Sequence, residues 1–423
     1  MYKAIRTRLV VMNFLEFAVW GAYLTSMGSY LVNIGLAQKI GLFYAMQGIV
    51  SIFMPALIGI IADKYMPAQK VLSLCHGIAG AAMVAAGYYG MSAETVEFGT
   101  LFALYSISVA FFMPTIALSN SVAYIALEGA GHDTVKAFPP IRVFGTVGFI
   151  CSMLFVNYVQ ADGVAFQYSH NQFLVSGILG LVLMVYALTL PKCPVKKGTE
   201  KQSLVEAMGL NAFSLFKKKD MAIFFIFSML LGVSLQITNG FANPFITHFK
   251  EIAEFSTTWG ANNANALISL SQVSETLCIL LIPFCMKRFG IKNVMLIAMF
   301  AWVLRFGFFG AGNPGSGVWM FILSCIVYGV AFDFFNVSGS LYVNQKTDKS
   351  IRSSAQGLFM LMTNGLGATI GTLSAQAIVN HFVYNAAQPN WSTAWYIFAG
   401  YALVVTILFM VLFKDPDKAT SQA

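Results

Sequence analysis

Long apolar stretches alternate with short polar ones along the whole chain, and the pattern predicts twelve helices long enough to cross a bilayer. Glycine and proline breaks separate most of them. Because backbone in contact with lipid must satisfy its own hydrogen bonds, the pattern predicts an all-α polytopic membrane protein; such long apolar runs exclude a β-barrel. The predicted helices span residues 9–33, 40–62, 71–91, 98–127, 140–160, 172–190, 222–246, 263–286, 293–311, 317–341, 355–380 and 394–413.

The composition supports a membrane protein, and the charges predict its orientation. Of the 423 residues, 58% are hydrophobic and only 10% are charged. The net charge of +8 does not indicate nucleic-acid binding, because the basic residues lie in short loops beside the helices. One side of the membrane collects nearly all of them, whereas the other has only Lys39 and Lys250. We therefore predict that both termini are cytoplasmic.

The longest loop divides the chain into two predicted halves. We predict an N-terminal six-helix half at 1–191, a basic cytoplasmic loop at 192–221 with an amphipathic piece at 203–216, and a C-terminal six-helix half at 222–423. The turn after helix two, Gly59-x-x-Ala-Asp-Lys64, resembles the helix 2–3 loop of the major facilitator superfamily. That resemblance implies alternating access around a site where the halves meet.

The predicted eighth helix carries polar groups at mid-membrane. Gln272 and Glu275 are three residues apart and share one helix face. A carboxylate at that depth costs about 3 kcal/mol on insertion scales, so the face must meet protein or a wet cavity. A site inside the helical bundle is the resulting prediction.

Helix seven adds a stripe of amides, Gln236, Asn239 and Asn243. A single amide in a membrane helix more often holds helices together than binds a ligand. Three on one stripe, beside the helix with Gln272 and Glu275, favour ligand binding.

Helices ten and five each contribute one ionisable residue with ring or hydroxyl neighbours. In helix ten, Asp333 lies among aromatic residues that include Tyr328 and Phe332, and we expect its carboxyl group either to carry a proton or to pair with Arg142 or Arg305. In helix five, one face holds Arg142, Thr146 and Phe149, although Arg142 could instead reach the cytoplasmic interface. The candidate residues of the two helices are Arg142, Thr146, Phe149, Tyr328, Phe332 and Asp333.

Two further ionisable residues fall within apolar helices. Glu16 lies on a stripe with Trp20, Tyr23 and Met27, which either walls a cavity or packs against other helices. Arg305 has no polar stripe around it, and we interpret it as structural and paired.

Nothing in the sequence predicts an enzyme. The six cysteines form no CxxC pair and are expected to be free thiols, and the five histidines show no metal-ligand spacing, with only His76 near a helix start. No nucleophile motif and no ATP-binding motif is found. We predict secondary transport, with no cofactor, no metal and no nucleic-acid partner.

The candidate residues predict a neutral ligand with several hydroxyl groups. Vicinal hydroxyls can donate to a carboxylate and accept from amides, and aromatic faces suit a flat or sugar ring. One or two arginines are too few for a phosphate site. A nucleoside and a sugar both fit.

Five stretches of the chain resemble the bacterial nucleoside:proton symporters of the major facilitator superfamily. The stretches are Phe14–Tyr30, Phe138–Arg142, Phe224–Gly232 with Leu235–Asn239, Ser271–Leu277 and Ala331–Asn336. The resemblance covers nearly the whole chain. It implies a monomeric multi-pass importer of purine and pyrimidine nucleosides in the bacterial inner membrane, driven by proton symport.

The resemblance also implies roles for single residues. It assigns Gln236, Asn239, Gln272 and Glu275 to the nucleoside site, with Glu275 holding ribose hydroxyls. The positions of Arg142, Thr146, Phe149, Tyr328, Phe332 and Asp333 complete the pocket or the proton coupling. Members of the family carry glutamine where this chain has Glu16, so Asp333, Glu275 and Glu16 are all candidates for coupling. A sugar:proton symporter and a xanthosine-preferring permease are the alternatives.

Overall fold

The computed structural model describes residues 2–194, 210–348 and 351–414, which are predominantly helical. A two-stranded antiparallel hairpin, β1 (Gln160–Ala161) and β2 (Val164–Ala165), joins the fifth and sixth helices. The long helices are α1 (Tyr2–Gly21 and Met27–Asn33), α2 (Ile40–Lys64), α3 (Ala68–Ser92), α4 (Phe98–Gly129), α5 (Pro139–Tyr158), α6 (Asn171–Ala187), α7 (Lys219–Leu235 and Ile237–His248), α8 (Ala264–Ile279), α9 (Ile282–Ala311), α10 (Val318–Lys346), α11 (Arg352–Met360, Leu361–Gly367, Ala368–Val379 and Asn380–Tyr384) and α12 (Trp391–Leu412).

The predicted polytopic all-α fold is confirmed. Nine helical segments in the described part of the chain are long and apolar enough to cross a membrane. The remaining predicted spans correspond to α1, which is interrupted between Gly21 and Met27, and to the shorter helices α6 and α8.

The bounds of the eighth and ninth helices differ from the prediction. The predicted span 263–286 ends at Ile279, and α9 begins at Ile282. Pro283 lies in the first turn of α9, where a missing N–H costs no helical hydrogen bond. Gly290 then breaks α9 with a φ of 74°, a conformation that glycine adopts without a side-chain clash.

The chain forms two compact units. The first contains the residues up to Ala37 and those from Ile49 through α6, and the second contains Gln38–Gly48 and α7 to α12. Residues 195–209 of the predicted central loop lie outside the described residues, and the adjoining Leu210–Lys217 forms a 3₁₀ helix. The predicted limits of the halves stay a prediction.

Glycines allow close helix packing within each unit. In the first unit, Gly148 of α5 lies against the backbone of Phe14 in α1. In the second, Gly371 of α11 lies against the backbone of Val233 in α7. Membrane helices gain association energy from such van der Waals packing, because lipid is as apolar as the helix surface. These contacts hold the helices that carry the candidate polar residues.

Candidate functional site

Helices α8 and α10 of the second unit pack closely at the level of Glu275. Gly329 of α10 lies against the backbone of Ser274, and the Ser274 hydroxyl donates a hydrogen bond to the Ile326 carbonyl. The neighbouring side chains of Gln272 and Glu275 are half-buried. Helix α8 is therefore held against α10 through Ser274, with the neighbouring Gln272 and Glu275 still partly accessible.

Helix α7 is interrupted at the first amide of its predicted stripe. Gln236 ends one helical segment and begins the next, with φ −94° and ψ −9°, so the predicted continuous helix 222–246 is wrong at this point. The Asn239 Nδ2 donates to Gln236 Oε1 at 2.8 Å, and both side chains are half-buried. Asn243 is fully buried and accepts a hydrogen bond from Thr247 at 3.2 Å. The stripe thus divides into two accessible amides and one internal amide.

Helix α10 presents a pair of stacked rings beside a buried carboxyl group. The Tyr328 and Phe332 rings have centroids 5.7 Å apart and planes 17° from parallel. Asp333 is buried, with 7% of its surface exposed. Tyr328 interacts electrostatically with both Glu275 and Asp333. The structure therefore brings Glu275, Tyr328 and Asp333 into one neighbourhood.

Arg305 belongs to this neighbourhood, which the sequence interpretation missed. The guanidinium carbon lies 4.4 Å from the centre of the Tyr328 ring, in cation–π geometry. Nη1 donates to the Ser324 carbonyl at 2.8 Å and to Ser271 Oγ at 3.3 Å. Ser271 is adjacent to Gln272, and Ser324 lies about one turn before Tyr328, so both serines are close to predicted site residues. The interpretation of Arg305 as structural and paired stays a prediction, and its contacts place it beside Tyr328 of the candidate site.

In the first unit, the three candidates of α5 face α1. The Arg142 guanidinium carbon lies 3.8 Å from the centre of the Phe17 ring. The Phe149 ring meets Trp20 edge-on at 6.2 Å. Arg142 and Thr146 are half-buried, whereas Phe149 is buried. The guanidinium is thus engaged with α1.

Glu16 makes polar contacts that the predicted aromatic stripe did not indicate. Its Oε2 lies 2.8 Å from His76 Nε2, and its Oε1 accepts a hydrogen bond from Thr115 at 2.6 Å. His76 was placed near a helix start, but α3 begins at Ala68, so His76 lies about two turns inside. The interruption of α1 also places Met27 on a separate helical segment from Glu16, and the predicted stripe of four residues stays a prediction.

The cysteine thiols form no disulfide bonds among the residues that the structure describes. All six cysteines are free thiols. Outside the membrane helices, burial raises the pKa of the Cys193 thiol, so this group stays protonated at neutral pH. No cluster of three His, Cys, Asp or Glu side chains that could hold a metal occurs among the residues that the structure describes.

Comparison with known families decides the class of protein. The family profile described as "Nucleoside H+ symporter" matches residues 3–418 of the chain. The chain belongs to the nucleoside:proton symporter family. It is therefore a multi-pass membrane transporter and not an enzyme.

Relatives in this family cover the whole chain. The chain is 46% identical to the xanthosine permease of Escherichia coli (strain K12) over 426 residues, which is 99% of both chains. It is 43% identical to the nucleoside permease NupG of the same organism over 413 residues, covering 97% of this chain and 96% of the relative.

Solved structures support the fold of the nucleoside:proton symporter family. A crystal structure of the nucleoside transporter NupG matches with a TM-score of 0.88 and 43% identity, covering 97% of this chain and 99% of that one. The crystal structure of a NupG mutant matches with a TM-score of 0.91 at the same identity, covering 97% of this chain and 100% of that one. A crystal structure of a D-xylose–proton symporter matches with a TM-score of 0.70 at only 15% identity, covering 97% of this chain and 98% of that one. The match to the D-xylose–proton symporter shows the shared major facilitator fold alone.

Proposed function

We propose that this chain imports purine and pyrimidine nucleosides across the bacterial inner membrane by proton symport and alternating access. The proposal rests on a group of half-buried polar side chains in the second unit. Glu275 and Gln272 lie on α8, and the hydrogen-bonded pair Gln236 and Asn239 lies at the break in α7. In an apolar helical unit, such groups mark the path of a polar substrate.

The hydrogen bond within the amide pair determines what each amide can offer a ligand. Asn239 donates to Gln236 Oε1, so the Gln236 NH₂ group is left to donate and the Asn239 oxygen to accept. A carboxylate such as Glu275 only accepts. Vicinal ribose hydroxyls, which both donate and accept, match this combination. We assign Gln236, Asn239, Gln272 and Glu275 to the ribose.

The stacked rings of Tyr328 and Phe332 offer an aromatic surface for the base. Offset stacking on such rings is tolerant of ring identity, which suits a carrier of both purines and pyrimidines. Arg142, Thr146 and Phe149 are the residues that we assign to substrate binding in the first unit. Xanthosine is the second candidate substrate, because a xanthosine permease is 46% identical to this chain.

Coupling requires a group that gains a proton when substrate binds. We propose Asp333 as the carrier, with Glu275 and Glu16 as the other candidate groups; Asp333 is buried and shares the electrostatic neighbourhood of Tyr328 with Glu275. A monomer in the lipid bilayer with both termini in the cytoplasm completes the proposal.

The direct test is uptake of labelled uridine and adenosine into proteoliposomes with and without an inward proton gradient. We expect gradient-driven uptake in the wild type and a loss of at least about tenfold in Glu275→Gln, because the amide cannot replace a carboxylate that accepts two hydroxyls. Glu254→Gln is the matched control, since Glu254 is an exposed carboxylate of the same unit.

Competition by unlabelled compounds for uptake of the labelled nucleosides separates the candidate substrates. An excess of unlabelled nucleoside should abolish uptake, and xanthosine should compete if it is also a substrate. Uptake of xylose but not of nucleosides would overturn the nucleoside assignment and leave the fold intact.

Proton coupling predicts the sign of the pH dependence of binding. If protonation favours substrate binding, the substrate must favour protonation equally, so the affinity for uridine falls as pH rises through the titration of the coupling group. We expect a fall of up to about tenfold per pH unit, measured by calorimetry on purified protein. Binding that stays constant across the range would contradict a coupling role for any carboxyl group at the site.

A further inference from the structure

Three helices of the first unit bring an acid, a base and a hydroxyl group together away from solvent. Glu16 of α1, His76 of α3 and Thr115 of α4 each have 0% of their surface exposed. The carboxyl group lies between the other two, with Oε2 2.8 Å from His76 Nε2 and Oε1 2.6 Å from Thr115 Oγ1. An ionised carboxylate buried to this degree is costly, and one added proton removes its charge.

The hydroxyl of Thr115 can serve both protonation states of Glu16. Besides the carboxyl oxygen, Thr115 Oγ1 has the Phe112 carbonyl as an acceptor at 2.5 Å. When Glu16 is ionised, Thr115 donates its one hydrogen to Oε1. When Oε1 carries a proton, it donates to Thr115 Oγ1, and Thr115 donates to the Phe112 carbonyl instead. Proton binding therefore needs only a rotation of one hydroxyl hydrogen.

A small cavity lined in part by His76 adjoins the cluster. Its volume of about 10 Å³ suits a single water molecule, and its lining includes His76, Tyr23, Ser108 and Ser176. His76 Nδ1 is buried and has no protein partner among the described residues. A water molecule donating to Nδ1 would fix the tautomer in which Nε2–H donates to Glu16, keeping the ring neutral.

Few other ionisable groups surround the cluster. The helices packed around the cluster contribute Tyr23 of α1, Cys75 of α3 and Tyr105 of α4, whose ring meets that of Tyr23. Helix α5 contributes Arg142, which lies above the Phe17 ring. His170 and Tyr186 lie towards the two ends of α6. Arg142 is the single permanent cation in this set, and its guanidinium is engaged with the Phe17 ring. The charge of Glu16 is therefore governed mainly by His76, Thr115 and the added proton.

We propose that Glu16, His76 and Thr115 form a buried binding site for one proton in the first unit, in addition to the coupling carboxyl groups of the second unit. The bound proton forms an O–H bond at Glu16 Oε1, and the neutral His76 keeps its Nε2–H bond to Oε2. The cluster changes from a net charge of −1 to 0 without moving a heavy atom.

Infrared difference spectroscopy of the purified, lipid-reconstituted protein tests this site directly. On acidification, the wild type should gain a carboxylic acid C=O band that is missing in Glu16→Gln. Glu94→Gln is the matched control, because Glu94 is an exposed carboxylate of the same unit, and it should retain the band. Superimposable spectra of the wild type and Glu16→Gln would overturn the proposal.

A second variant separates the carboxyl group from the imidazole ring. His76→Gln keeps a donor towards Oε2 and removes the titratable ring, so the band should persist with a shifted frequency. If His76→Gln abolishes the pH-dependent difference spectrum of the cluster, the proton resides on the imidazole ring and the assignment to Glu16 is wrong. The readout does not depend on transport, so failure of the proposed nucleoside uptake would be seen separately in proteoliposomes.

Discussion

Arg305 is the residue whose surroundings most change the chemistry of the second unit. A guanidinium with 2% of its surface exposed is positioned by Ser324 and Ser271 and lies over the face of Tyr328. Because Tyr328 stacks on Phe332 in turn, Arg305 fixes the ring pair that we assign to the base. Tyr328, over which the cation lies, also interacts electrostatically with Glu275 and Asp333.

Arg305→Lys should weaken both stability and nucleoside binding. Lysine keeps the charge but loses the planar guanidinium that stacks on the Tyr328 ring while its Nη1 donates to Ser324 and Ser271. We expect a loss of about 1–3 kcal/mol in unfolding free energy and a weaker affinity for uridine, measured by thermal denaturation and calorimetry. Arg288→Lys, at an exposed arginine, is the control, and equal behaviour of the two variants would contradict this role.

Sequence reasoning at the residue scale succeeded where a pattern is local. Gln272 and Glu275, or Tyr328 and Phe332, share helix faces that spacing alone reveals, and the structure brings the two helices together. The partners of Glu16 and Arg305 could not be predicted in this way. His76 is 60 residues from Glu16, and Ser271 is 34 residues from Arg305, so only the packing of the helices shows these pairs.

At the scale of elements, helix contacts depend on where a side chain is absent. Gly371 of α11 meets the backbone of Val233 in α7, whereas Gly400 of α12 has nothing within 4 Å of the position of a Cβ atom. The two glycines lie in helices of the same unit, and they differ in whether an added Cβ atom would meet the backbone of a neighbouring helix.

Gly371→Ala should destabilise the protein, whereas Gly400→Ala should not. A methyl group at 371 would overlap backbone that cannot move alone, and overpacking of this kind costs about 1–3 kcal/mol. At 400, alanine has room and is the better helix former by about 1 kcal/mol. Thermal midpoints of the two purified variants decide the matter, and a midpoint of Gly371→Ala at or above that of Gly400→Ala would contradict the packing argument.

The bounds of elements were predictable only where a local signal marks them. Hydropathy located the apolar segments of the chain, but it could not show that α7 breaks at Gln236 or that α9 starts before its predicted beginning. Both differences from the predicted helix bounds are changes of backbone geometry inside an apolar stretch. Hydrophobic content is insensitive to such geometry, since a helix and its interruption contain the same kinds of residue.

For the whole molecule, the distribution of basic residues predicts the topology across the membrane. The positive-inside rule places both termini and the central loop in the cytoplasm, and it places the turn that follows α7, with Lys250, on the opposite side. The fold itself is confirmed, and the topology remains a prediction.

Reporter fusions test the topology. A fluorescent protein that folds only in the cytoplasm should fluoresce when it is fused after Lys414, and alkaline phosphatase should be active when it is fused after Glu251. The reverse pattern would show that the chain is inserted in the opposite orientation.

The π-helical segment Leu361–Gly367 in α11 has a consequence for insertions and deletions. A π turn accommodates one extra residue within an α-helix, so it behaves as a tolerated insertion. Deleting one residue there would restore regular α-helix and leave everything beyond it close to its present orientation about the helix axis. Gly371 would stay near Val233, and Gln376 would stay near the backbone N–H of Gly41 to which it is bonded. A one-residue deletion in the regular α-helix Ala368–Val379 would instead turn everything beyond it by about 100°, so the π segment is the place in α11 where the chain can lose a residue and keep its contacts.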